Sequence, residues 1–193
     1  MTYDLIRSFG LVAYLAFSLS LALGLASVTG GVTDGAIDRR LVRQLVHRSA
    51  AVVGLLALAL HLVLVVVDTY VATPLSAVLV PFTAGYKVFA LGLGTLAMYA
   101  LVLAAVSGWA RLTLARALSE RAWRWLHGAA YAGWALCLGH GILAGPDSGQ
   151  RWALAAYAGG ALAVAAGGVV RVAGGRHVLR RHGDGTFGYR EVR

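Results

Sequence analysis

Trp123–Gly145 reads WRWLHGAAYAGWALCLGHGILAG, an apolar run interrupted by two histidines, His127 and His140, in an H-x12-H spacing. A helix rises about 1.5 Å per residue and about 20 apolar residues cross a bilayer. This stretch is therefore long enough to span, with both imidazoles at membrane depth. A second run, RQLVHRSAAVVGLLALALHLVLVVVD from Arg43 to Asp68, carries His47 and His61 as H-x13-H. An ionisable side chain inside a membrane is costly, so four of them on two helices call for a functional explanation.

Composition agrees with a membrane setting. The chain has 193 residues, 59% hydrophobic and only 13% charged, and its mean hydropathy is +0.73. Soluble domains carry about a quarter charged residues. The formal net charge of +9 does not point to nucleic acid, because the arginines flank spanning-length apolar runs, where they set topology. No low-complexity tract or solenoid-length period is present. Cys137 is the only cysteine, which rules out an intrachain disulfide; mid-helix, it reads as a small core residue.

The expected fold is all-α, an integral membrane bundle of about five transmembrane helices: Phe9–Val28, Gln44–Val67, Tyr86–Ala110, Trp123–Gly145 and Trp152–Val170. The first competes with a signal peptide, but its apolar run is long and it is preceded by Asp4 and a single Arg7. Thr29–Asp38 (TGGVTDGAID) reads as a Gly-rich turn. Thr73-Pro74 reads as an N-cap and first helical residue, opening a short interfacial helix before Pro81. Gly92, Gly94 and Gly108 favour close helix packing in the third span. Residues 1–170 form the transmembrane domain. Residues 171–193 form a basic, partly disordered cytoplasmic tail with His177 and His182 as solvated side chains.

Charge orients the bundle. Arg39, Arg40, Arg43 and Arg48 follow span one, Arg111, Arg116, Arg121 and Arg124 follow span three, and the tail holds six more arginines. Fourteen of the seventeen basic residues thus fall on one side; Arg7, Lys87 and Arg151 are on the other. The positive-inside rule puts the N-terminus outside and the C-terminus in the cytoplasm, in a multi-pass protein of the cell membrane.

The second and fourth spans run parallel, so His47 lies level with His127 near the cytoplasmic side and His61 with His140 further out. Haem iron takes axial ligands from opposite faces of the macrocycle. Two helices, each giving one imidazole per level, suit two b-type haems about 20 Å apart. No C-x-x-C-H is present for covalent attachment. Zinc would need three or four converging ligands, which these spacings do not supply. Small residues near the ligands (Ala50, Ala51, Gly54, Gly128, Gly133, Gly139, Gly141) would give a flat ring room. Phase fits less well: fourteen residues return to within about 40° of one face, whereas thirteen miss it by about 140°.

These paired spacings, WRWLHGAAYAGWALCLGHGILAG, and the VDTYVATPLSAVLVPFTAGYK connection resemble the ferric reductase-like transmembrane domain family. Its superfamily includes NADPH oxidases and the haem subunit of bacterial sulfoxide reductase systems. The likeness covers Leu41 to Gly145. It implies that His47 and His127 ligate an inner haem and His61 and His140 an outer one. It implies electron transfer from a cytoplasmic-side or quinol donor to ferric iron, oxygen or an extracytoplasmic flavoprotein. Full-length ferric reductases continue into a flavin and nicotinamide module. Here about 20 residues follow the last span and no G-x-G-x-x-G unit stands in a strand–helix setting, so no FAD or NADPH site is expected, and quinol or a separate reductase should be the donor. Trp134, between the ligand depths, reads as packing or as an electron relay. Arg43, Arg48 and Arg124 read as topology signals or as partners of inner propionates. Tyr86, Lys87 and Arg151 are the corresponding outer candidates. The competing functional class is a non-haem transporter or assembly factor with structural or proton-relay histidines.

Overall fold

The computed structural model describes residues 2–27, 34–69, 73–111, 113 and 117–183. The first half of the expected Gly-rich turn, Arg116, the end of the tail and the side chains of His177 and His182 lie outside the described residues. Among the described residues six helices follow one another: α1 (Thr2–Ala26), α2 (Asp34–Val67), the short α3 (Leu75–Leu79), α4 (Val88–Trp109), α5 (Glu120–Ala144) and α6 (Arg151–Gly183). Among the same residues four segments are long and apolar enough to cross a membrane: Thr2–Ala26, Ile37–Val67, Val88–Trp109 and Arg151–Gly174. The described chain is thus a helical, multi-pass membrane bundle. α5 is 25 residues long but less apolar, because arginines, histidines and glycines interrupt it.

Helix ends depart from the limits of the apolar runs. α2 begins at Asp34, inside the stretch expected to turn. α6 continues to Gly183, so Arg171 marks the end of its apolar part and not of the helix. Backbone hydrogen bonding has no reason to stop where side-chain apolarity does. Pro74 is the N-cap of α3, with φ −69° and ψ 151° and no side-chain cap bond, one position earlier than its expected role. α5 starts as capping rules require: the Ser119 hydroxyl accepts from the Ala122 N–H at 3.2 Å.

Two antiparallel hairpins dominate the packing, α1 against α2 and α4 against α5; α6 lies along α1, and α1 also touches α5. α2 and α5 are not among the closely packed pairs, although both carry the histidines. Midway along the bundle the hairpins meet in a cluster of Ala13, Phe17, Ala57 and Leu101, with Phe9, Leu55, Leu58 and Cys137 against it. Cys137 is a core residue, as its position suggested. The connection after α3 folds back on α4: Phe82 adopts φ 64°, and its ring fills the space that a Cβ on Gly92 would need.

Glycines also set the α1–α6 distance. A Cβ on Gly160 would lie 2.6 Å from the Tyr14 ring, and one on Gly167 would lie 2.6 Å from the Ala22 carbonyl oxygen. The second contact is with backbone, which cannot swing aside. Gly167→Val should therefore destabilise the bundle by about 1–3 kcal/mol through overpacking. The neighbouring Gly168 faces open space, so Gly168→Ala should leave thermal unfolding in detergent unchanged. Equal melting of the two variants would refute this packing.

Candidate functional site: two levels of paired histidines

Each histidine of α2 faces one of α5. The His47 and His127 ring centres are 6.3 Å apart with planes at 71°, and those of His61 and His140 are 6.4 Å apart at 81°. The level pairing expected from parallel helices is thus the observed one. α5 is unbroken across both histidines, so no helix break absorbs the phase mismatch of the thirteen-residue spacing. The two χ1 wells open to a helical residue differ by about 120°, enough to redirect one imidazole toward its partner.

What fixes the rings comes from the other two helices. His61 Nδ1 lies 2.8 Å from the Ile6 carbonyl oxygen and His47 Nδ1 lies 2.7 Å from that of Ser20, both on α1. His140 Nδ1 lies 2.8 Å from the Ala90 carbonyl oxygen and His127 Nδ1 lies 2.9 Å from that of Ala104, both on α4. A carbonyl oxygen only accepts, so each Nδ1 carries the proton and each Nε2 keeps a free lone pair. An imidazole held this way is oriented and made more basic as a ligand.

Room for each ring comes from a glycine four residues beyond the carbonyl. Gly10 meets His61, Gly24 meets His47, Gly94 meets His140 and Gly108 meets His127; a Cβ on any of them would lie 2.8–3.3 Å from the imidazole. The two hairpins therefore repeat one design. Along α1 and α4, carbonyl and glycine recur fourteen residues on, and each α4 position is its α1 counterpart plus 84. The repeat extends to the middle: Phe17 of α1 faces Gly54 of α2, and its equivalent Leu101 of α4 faces Gly133 of α5.

Several sequence expectations change here. Gly54, Gly133 and Gly141 receive Phe17, Leu101 and Tyr157, so they serve helix packing and do not line a ring. Gly128 faces open space. Trp134 donates through Nε1 to the Ser18 hydroxyl at 2.8 Å and stacks on Tyr14 at 6.2 Å, a packing role that ties α5 to α1. Arg43 donates to the Ala26 carbonyl oxygen at 2.6 Å, at the last turn of α1. Arg124 pairs with Glu120 at 2.9 Å, and Arg48 is exposed. On the other side Lys87 donates to the Ala144 carbonyl oxygen at 3.1 Å and lies over the Tyr86 ring, Arg151 is exposed, and Arg7 pairs with Asp147.

A shallow, open groove runs along one face of α5, lined by Arg121, Arg124, Trp125, Gly128, Ala129 and Tyr131. Among the described residues no three His, Cys, Asp or Glu side chains converge on one point; the histidines meet as pairs. Comparison with protein-family models, curated proteins and solved structures finds no match for this chain.

The pairs can be tested against a metal between them. Two imidazoles on opposite sides of one metal ion, each nitrogen about 2.0 Å from it and each ring centre roughly 1.1 Å further back, would stand about 6.2 Å apart. The observed separations are 6.3 and 6.4 Å. The donor set and the separation of the paired rings fit a bis-imidazole haem at each level.

Proposed function

We propose that this chain is a di-haem b cytochrome of the ferric reductase-like kind, carrying electrons across a cell membrane. They would pass from a quinol or a separate reductase on the cytoplasmic side to ferric iron, oxygen or a flavoprotein outside. His47 and His127 hold the inner haem; His61 and His140 hold the outer. α5 crosses the bilayer with the other four long helices, and the clustered arginines put the C-terminus in the cytoplasm. Haem supplies reversible one-electron chemistry at each level. The chain's own residues do the rest: the α1 and α4 carbonyls hold the imidazoles in one tautomer, and the Phe17–Leu101 cluster keeps water from the space between the levels.

The observation that carries this reading is the fourfold repetition of one ligand geometry, an imidazole with Nδ1 tied to a backbone carbonyl and a partner ring at metal-bridging distance. A transporter's relay histidines have no need of that spacing. The purified protein should show sharp reduced-minus-oxidised bands and two haem b per chain by pyridine haemochrome. A preparation without haem bands, or one saturating at a single haem, would refute the assignment.

A further inference from the structure

The two halves of the molecule repeat each other, so the places where the two levels differ stand out. Both outer imidazoles have a backbone carbonyl at Nδ1 and, among the described residues, no hydroxyl partner. Both inner imidazoles have a hydroxyl as well. Ser20 Oγ lies 3.0 Å from His47 Nδ1, and Ser107 Oγ lies 3.4 Å from His127 Nδ1. Both serines are buried, at 6% and 2% exposure. The residues fourteen positions earlier, at the outer level, are Ile6 and Leu93, which offer no hydroxyl.

The serine protons are already committed. Ser20 Oγ donates to the His47 carbonyl oxygen at 3.1 Å, and Ser107 Oγ donates to the Ala104 carbonyl oxygen at 2.8 Å. Each hydroxyl therefore presents a lone pair to Nδ1, and the N–H is shared between two acceptors. A second acceptor draws the proton further from the ring and increases its basicity as a ligand. A more basic axial ligand favours ferric over ferrous iron, and hydrogen bonding to ligands is one of the levers that set a haem's potential. The Arg111 guanidinium lies 4.7 Å from the Trp123 ring, which stacks on His127. It is exposed, where salt and headgroups screen its opposing charge.

Resting on the haem reading above, we infer that Ser20 and Ser107 are positioning residues that make the inner haem the lower-potential one, so that electrons run downhill from the cytoplasmic side outward. Optical redox titration of the purified protein tests it. The wild type should titrate as two components. Ser20→Ala should move the lower component up toward the higher and leave the higher in place. Ser107→Ala should do the same by a smaller amount, because its contact is longer. Ser20→Thr, which keeps the hydroxyl, should stay at the wild-type curve. Ile6→Ser supplies the converse by placing a hydroxyl at the outer level, and it should lower the higher component. Should an alanine variant lose haem, the Thr and Ile6→Ser curves still decide. Unmoved curves in the alanine and Ile6→Ser variants, or movement of the wrong component, would overturn the inference with the haem reading intact. A wild type without haem bands would overturn both.

Discussion

His61→Ala and His140→Ala are each expected to remove the same haem and to leave the other bound. His47→Ala and His127→Ala should likewise share a loss, that of the second haem. The expectation follows from the pairings, at 6.3 and 6.4 Å between ring centres. Crossed pairings would need one iron to bridge levels about 20 Å apart. Haem content should fall by half in each single variant, and a double variant within a pair should lose no more than either single one. Combining His61→Ala with His127→Ala should abolish haem binding altogether. Electron delivery to an external acceptor should stop in all four single variants, because the path needs both levels. Full haem in every variant would show that these imidazoles are not ligands.

Gly94→Ala is expected to weaken the outer haem without touching any ligand. The added methyl carbon would lie 2.8 Å from His140 Nδ1, closer than real Cβ contacts come, and would push the ring off the Ala90 carbonyl. Losing an outer-shell partner commonly lowers metal affinity by about 10–100-fold, so haem at the His61–His140 level should be depleted while the inner level stays full. The effect should be graded. The nearest imidazole atom would lie at 3.0 Å for Gly108, 3.2 Å for Gly10 and 3.3 Å for Gly24, so Gly24→Ala should be the mildest of the four. Gly128→Ala, next to His127 but facing open space, should bind haem normally. Normal haem content in Gly94→Ala would mean that the ring's contact with α4 does not matter.

The four histidines and their pairing could be read from the sequence because two histidine spacings on parallel helices leave only one level-by-level match. Their supports could not be read that way. The groups that hold the imidazoles are backbone carbonyls, and Ile6, Ala90 and Ala104 have no side-chain feature that marks them. One signal was available and easily passed over: Gly10–Gly24 and Gly94–Gly108 carry the same fourteen-residue interval as His47–His61. The glycines nearest the ligands in sequence drew attention instead, yet Gly54, Gly133 and Gly141 belong to helix packing. Apolar runs located the long helices but not their ends. Helical hydrogen bonding continues into the polar residues after Val170 and starts before the apolar part of α2. The phase mismatch in α5 looked like an obstacle because ideal azimuths describe Cβ directions, and an imidazole still has two torsions beyond that point.

Each hairpin carries half of both sites, and α2 and α5 have little direct packing with one another. On the proposed reading, neither hairpin can retain a cofactor alone. Direct packing joins the hairpins midway, at the Phe17–Leu101 cluster, so the pigments act as mortar at the two ends. A newly inserted chain would be pinned at its waist and splayed toward both membrane faces until the rings arrive, and cells short of haem would accumulate that form.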